Sequence, residues 1–414
     1  MTDTRVSASR LALVVLALCT CMNLLARGLG DTFAVFLLPL GAEHGWERAH
    51  LTGVYSTFML VNGLSGPVVG TAFDRVGPRV LYAGGACCFG AGFVLAGRLD
   101  ALWQLYLCVG VMGGVGAAAI GMVPASALVS RWFRARLGTA MGVLYAALGT
   151  GVLVIVPTTQ WMIEHLGWRA TYGLLGTVLL ALAPLAALAP WGRLAAGHPE
   201  YAEATRRRVA REGGWTLRRA LGSTAFWALF SVFFLTSVNT YAVTVQAVAY
   251  MVELGFPPLE AASAYGLAGM LSVVGMILIP SLADRIGERA SATLSYTTSI
   301  VGIGALAMLA VHPSYWLVAG FVLCFGLMQG TRGPIIALAA ARLFPGGGFG
   351  AIYGALTLGM GTGAAVGSWA AGLLHDLTLG YHAGFGLGAA AALAGMAHFW
   401  LVPALARMQD RPRP

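Results

Sequence analysis

Three charged side chains stand where the surrounding sequence is almost wholly apolar. Arg27 and Asp31 lie inside the apolar run from Leu11 to Leu40, and Arg332 lies in another, from 314 to 340. At mid-bilayer a charge costs at least ~2.5–3.5 kcal/mol on insertion scales, so such residues usually face a water-filled cavity and act there. Asn23, Arg27 and Asp31 recur every fourth residue and share one helix face. At that spacing Arg27 and Asp31 can reach each other. Two guanidiniums and one carboxylate leave a net positive site. Arginine stays protonated and presents a planar fork that matches a carboxylate or a phosphate. Asp31 is the one carboxylate deep in any apolar run, which makes it the candidate for proton coupling. A neutral Asp31 leaves Arg27 free for an anion; an ionised Asp31 competes for it. The alternatives are a self-neutralised Arg27–Asp31 pair in a helix broken at Gly28 and Gly30, and a gate in which Arg332 pairs with Asp31.

Polar residues on other runs can complete such a site. Asn239 shares a helix face with Thr236 and Gln246, and Gln329 precedes Arg332 by one turn. Thr331, Gly333 and Pro334 flank Arg332, where local unwinding could free carbonyl groups. Tyr145 and Tyr353 sit in matching Gly-x-x-Tyr contexts, and Tyr55 and Tyr265 occupy comparable helices. A tyrosine in a helix bundle more often packs than binds. The substrate-binding candidates are therefore Arg27, Arg332 and Asn239, with Tyr145 or Tyr353.

The elements that must position these residues are long apolar helices. Of 414 residues 58% are hydrophobic and only 10% charged, well under the ~25% charged of soluble proteins, so most of the chain faces lipid or other helices. Twelve apolar stretches reach spanning length, with cores near 11–38, 50–73, 79–98, 102–126, 137–162, 167–190, 223–251, 260–283, 290–310, 314–340, 349–374 and 381–406. The 57 glycines suit close helix packing in lipid. All six cysteines fall inside apolar runs and read as small core residues. The first run is too long for a cleavable signal peptide and shows no small-residue cleavage site.

One pattern occurs twice. Tyr55 to Gly77 ends Ala72-Phe73-Asp74-Arg75-Val76-Gly77, and Tyr265 to Gly287 ends Leu282-Ala283-Asp284-Arg285-Ile286-Gly287, a shift of 210. A repeat of half the chain built from membrane helices marks a two-half transporter. It divides the chain into a first six-helix bundle (1–190), a polar linker (191–221) and a second bundle (222–414). The linker carries Arg206, Arg207, Arg208, Arg211, Arg218 and Arg219 and is expected to lie near anionic lipid or in solvent. Every one of the 25 basic residues is arginine. Twenty belong to the side with both termini and the linker, against Arg48, Arg98 and Arg169 on the other. The positive-inside rule places both termini in the cytoplasm of a multi-pass protein of the inner (plasma) membrane. It also explains the net charge of +9 without nucleic acid.

Twelve spans, a central basic linker and Gly70-x-x-x-Asp74-Arg75-x-Gly77-Pro78-Arg79 resemble the major facilitator superfamily over essentially the whole chain. The resemblance implies an all-α membrane protein of twelve transmembrane helices in two pseudo-symmetric halves, with spans 1, 4, 7 and 10 lining a central cavity. Arg27, Asp31 and Arg332 would all face that cavity, and His398, on peripheral span 12, would be structural. In this family the loop after span 2 governs switching, so Asp74 and Arg75, with Asp284 and Arg285 in the second copy, are the expected gating residues. A second motif, Trp132-Phe133-Arg134-Ala135-Arg136-Leu137-Gly138-Thr139-Ala140-Met141-Gly142, is similar to the start of span 5 in monocarboxylate transporters and oxalate/formate antiporters. Span 8 departs from that branch, with no charge between Ser263 and Leu282.

The resulting expectation is a secondary active carrier, not an enzyme, moving a small organic anion, most simply a monocarboxylate, by proton coupling or exchange. Its partners are that anion, protons and membrane lipid, and a monomer suffices. No cofactor, metal site or Walker-type phosphate loop is present in the sequence. The rival reading is efflux of hydrophobic drug-like compounds, with the arginines as gates.

Overall fold

In lipid every backbone polar group must be satisfied within the segment, so apolar runs of this length fold as helices. The computed structural model describes residues 2–133, 137–197, 215–344 and 349–402, and among these it is helical with no strand. Span 1 (10–44) is two helices meeting at Thr32, whose Oγ1 donates to the Leu29 carbonyl at 2.6 Å. Spans 2 and 3 form one helical stretch, Arg48–Ala96, divided at Gly77. Span 4 (Leu102–Trp132) contains a π-helical segment, Tyr106–Met112, and breaks at Gly121. Spans 5 to 9 are Leu137–Leu166, Trp168–Leu188, Thr224–Glu253, Pro258–Ile286 and Glu288–Ala307. Span 10 (315–343) has its own π segment, Val322–Gly326, and breaks at Gly330–Thr331 before the helix Arg332–Leu343. Spans 11 and 12 are Phe349–Thr378 and His382–Leu401. The twelve spans form an all-α membrane fold of two halves.

The sequence repeat is carried into the backbone. Gly77 (φ 80°) and Gly287 (φ 90°), 210 residues apart, both take the left-handed conformation that turns the chain between spans 2 and 3 and between spans 8 and 9. Gly121 and Thr331, also 210 apart, mark the breaks of spans 4 and 10. In the linker, the helices Trp191–Leu194 and Leu217–Leu221 are described, while Arg206, Arg207, Arg208 and Arg211 lie outside the described residues.

Small residues bring the halves together. Span 2 lies along span 11, where the Ser56 and Ser368 hydroxyls share a hydrogen bond of 2.6 Å and a Cβ on Gly63 would reach Gly361 Cα at 3.4 Å. Span 5 lies along span 8, where a Cβ on Gly149 would come within 2.7 Å of the Gly269 carbonyl and 3.0 Å of Met270 Cα. Those neighbours are backbone and cannot move aside. Gly149→Ala is therefore expected to lower stability by about 1–3 kcal/mol, seen as an earlier thermal transition in detergent; an unchanged transition would show that the two helices separate freely.

At the face opposite the linker, the halves are latched. The Arg48 guanidinium pairs with Glu253 and donates to the Tyr381 hydroxyl at 3.1 Å. The backbone N–H groups of Arg48 and Ala49, which open span 2, donate to Asp376 of span 11 at 3.1 and 2.6 Å. A carboxylate from one half thus caps a helix of the other, favoured by the helix dipole. Losing such a cap costs about 1 kcal/mol. Asp376→Ala is expected to speed amide exchange in the first turn of span 2 several-fold, and unchanged exchange would remove Asp376 from the latch.

Candidate substrate and proton site

Span 1 runs helically through Gly28 and Gly30 and breaks only after Asp31. The two glycines allow close approach instead. A Cβ on Gly28 would meet the Gly151 carbonyl of span 5 at 2.7 Å, and one on Gly30 would meet the Phe58 ring of span 2 at 2.8 Å. Pressed against spans 2 and 5, this turn of helix aims Arg27 and Asp31 at the second half of the molecule.

Arg27 Nε lies 2.9 Å from Asp31 Oδ2. The same guanidinium donates from Nη1 to the Tyr241 hydroxyl of span 7 at 3.0 Å. Tyr55 of span 2 donates to Asp31 Oδ1 at 2.9 Å, and Tyr265 of span 8 lies near that carboxylate. Asp31 is thus faced from both halves, and Tyr55 and Tyr265 are the repeat-related pair, 210 residues apart. Ring contact extends the cluster, with the Tyr55 and Tyr241 centroids 6.1 Å apart. Asp31 is 2% exposed, whereas the Arg27 side chain is 35% exposed. Since Arg27 also donates to Tyr241 of the opposite half, its accessible surface faces the space between the halves and not lipid. The arrangement can hold an anion on a guanidinium and a proton on an adjoining carboxylate.

Arg332 is placed elsewhere. It is 2% exposed, and its Nη1 donates to Asn239 Oδ1 at 2.8 Å while Nη2 donates to the Ser295 carbonyl at 3.2 Å. Its guanidinium carbon lies 4.3 Å from the Tyr296 ring centroid. All these partners belong to spans 7 and 9. Asn239, fully buried, donates in turn to the Gly388 carbonyl of span 12 at 2.8 Å. Arg332 and Asn239 therefore sit inside the second half rather than in the central space. Among the described residues no carboxylate is within ion-pair distance of Arg332, so it forms no gate with Asp31 in this state. Asn23 is likewise withdrawn, donating to the Leu144 carbonyl at 3.0 Å.

Tyr145 and Tyr353 are half-buried and lie near one another across the halves, Tyr353 with its ring 6.2 Å from that of Phe233. Beside them, a Cβ on Gly142 or Gly354 would meet nothing within 4 Å. Gln329 is tied to the Ala268 carbonyl and His398 to the Ala394 carbonyl. Arg75 is exposed; the side chains of Asp74, Asp284 and Arg285 lie outside the described residues.

Reasoning from sequence named Tyr55 and Tyr265 without selecting them, and it passed over Tyr241. The signal was available for the first two, because they are the first residues of the duplicated pattern. Tyr241 carried none.

Twelve spans, a two-half repeat and a charged pair at the seam between the halves mark a membrane transporter. The chain belongs to the major facilitator superfamily, whose profile matches residues 16–331; it is a transporter and not an enzyme. It is 26% identical to an uncharacterized MFS-type transporter, YcxA, of Bacillus subtilis over 85% of each chain. It is 26% identical to monocarboxylate transporter 13 of Rattus norvegicus, over 89% of this chain and 83% of that one. Its fold superposes with a TM-score of 0.74 on a bacterial homologue of the human lysosomal transporter Spinster in an inward-facing and occupied conformation, at 15% identity, covering 97% of this chain and 98% of the other.

Proposed function

We propose that this protein carries a small organic anion, most simply a monocarboxylate, across the inner (plasma) membrane, coupled to protons or by exchange. The observation that carries the reading is the guanidinium of Arg27, a third exposed between the halves and ion-paired to a buried carboxylate. An arriving carboxylate can take the place of Asp31 on Arg27, since the guanidinium fork serves either. Asp31, released, takes a proton while keeping its tyrosine neighbours. Binding of anion and proton are then two parts of one exchange at the same pair. The names of the monocarboxylate transporters support the same class of substrate.

Tyr145 and Tyr353 are proposed to line the approach to this pair. Arg332, held by Asn239, lies behind it and adds positive charge from the second half. With the linker and termini in the cytoplasm, as the arginine distribution favours, the Arg48 latch closes the outer face. Asp74, Arg75, Asp284 and Arg285 are proposed to hold the inner face in the opposite state. A monomer contains every element of this scheme.

The test is uptake by the purified protein in liposomes against a panel of short carboxylates, sugars and cationic drugs. Carboxylate uptake that depends on Arg27 supports the reading. Movement of cationic drugs alone, unaffected by Arg27→Gln, would replace it with efflux of hydrophobic compounds.

A further inference from the structure

Of the two intramembrane arginines, only Arg27 has a carboxylate partner among the described residues. Arg332 is 2% exposed and is the first residue of the helix Arg332–Leu343, so its charge stands at that helix's positive end. Its Nη contacts, the Asn239 amide oxygen, the Ser295 carbonyl and the Tyr296 ring face, are all neutral. Its Nε–H is buried with no partner. A buried donor left unmade costs about 1–3 kcal/mol and more when charged, and a buried cation normally has an anion beside it. The first half makes the contrast plain: there the equivalent residue, 210 positions earlier, is Met122, and it receives the Asn23 amide where Arg332 donates to Asn239.

The surroundings are hydroxyl-rich for a lipid-embedded bundle. Ser291, Ser295 and Ser299 repeat every four residues on one face of span 9, each fully buried. Ser295 shares a hydrogen bond of 2.6 Å with Thr331, the residue at the span 10 break, and the Ser291 hydroxyl has no partner. Thr331 Oγ1 also donates to the Met328 carbonyl at 2.9 Å, so the pair can offer one proton to an anion by giving up that bond, without moving its heavy atoms. Positive charge, a helix N-terminus, an idle guanidinium N–H and adjustable hydroxyls share one chemical complement.

We propose that the second half holds an anion site of its own, centred on Arg332 and separate from the Arg27–Asp31 pair, for one small monovalent anion. The ligand is a halide or the carboxylate of a very short acid; the closely packed surroundings exclude larger groups. Nε–H of Arg332 is its principal donor, with the Ser295 and Thr331 hydroxyls beside it. Its occupant would offset the charge Arg332 adds behind the transport site. The proposal does not depend on what the carrier transports.

The experiment uses the full-length protein purified in a sulfate buffer free of halide and carboxylate, titrated separately with sodium chloride and sodium formate. Thermal unfolding and chloride-35 line broadening are read for wild type, Arg27→Gln/Asp31→Asn, Arg332→Gln and Arg332→Lys. Saturable stabilisation is expected in wild type and equally in Arg27→Gln/Asp31→Asn, where the transport site is disabled without stranding a buried charge, and none in Arg332→Gln. Lysine keeps the charge but lacks the Nε–H fork, so Arg332→Lys is expected to bind at least tenfold more weakly, which decides the matter even if the glutamine variant fails to fold. Stabilisation by chloride alone assigns the site to inorganic anion; formate that competes with chloride assigns it to short acids as well. No anion-dependent shift in Arg27→Gln/Asp31→Asn, or full affinity in Arg332→Lys, overturns the site while leaving the transport reading untouched.

Discussion

Asp31→Asn protein is expected to exchange labelled carboxylate across a liposome membrane yet fail to accumulate it against a gradient. The amide keeps the size of the carboxyl and can still accept from Tyr55, so the helix around it has no reason to rearrange. What it loses is the ability to take and release a proton. A proton gradient of one pH unit is worth about 1.4 kcal/mol per proton, so a one-to-one symporter accumulates its substrate about tenfold under that force. Accumulation by Asp31→Asn is expected to fall to about onefold, while counterflow of label persists. Tenfold accumulation by the variant would take Asp31 out of the coupling.

Arg27→Gln is expected to abolish uptake through a different loss. A charge-assisted hydrogen bond to an anion is worth roughly 1.5–3 kcal/mol, so replacing the fork with a neutral amide weakens substrate binding about 10- to 150-fold. The substitution also strands Asp31, 2% exposed, without its partner. Removing one member of a buried pair destabilises by about 3–5 kcal/mol, so a poorly folded single variant is part of the expectation. Arg27→Gln/Asp31→Asn removes both charges and separates the two effects. Its stability should recover toward wild type while uptake stays absent. Recovery of uptake along with stability would make the pair a structural tie and nothing more.

Much of this was legible in the residues. Spanning length, the arginine distribution and the 210-residue repeat follow from local composition and from the chemistry of lipid, which leaves a backbone few choices. The Arg27–Asp31 pair follows from a four-residue spacing on one helix. Contacts between distant segments were not legible in the same way. Asp376 caps the helix that begins at Arg48, from 328 positions along the chain, and nothing in either neighbourhood announces it. Tyr241 meets Arg27 only because spans 1 and 7 come together, 214 positions apart.

Arg332 illustrates a second limit. Its apolar surroundings marked it as a residue with work to do, and its neighbours Thr331 and Gly333 marked a break in the helix. The break does occur, at Gly330–Thr331. Which side of the helix a residue then presents depends on the turn taken at the break, and periodicity cannot supply that. Here the turn carries the guanidinium toward spans 7 and 9 and away from Asp31. The glycines beside Arg27 show the converse: they suggested a broken helix, yet they serve as points of close approach to spans 2 and 5.

The central claim is that one pair, Arg27 and Asp31, binds the anion and carries the proton. Proton entry into liposomes loaded with a pH-sensitive dye, followed as an external short carboxylate is added, tests it most directly when read together with entry of the labelled acid. Wild-type protein is expected to move protons with carboxylate, and Asp31→Asn to move label with no proton signal above that of empty liposomes. Proton movement undiminished in Asp31→Asn would contradict the claim.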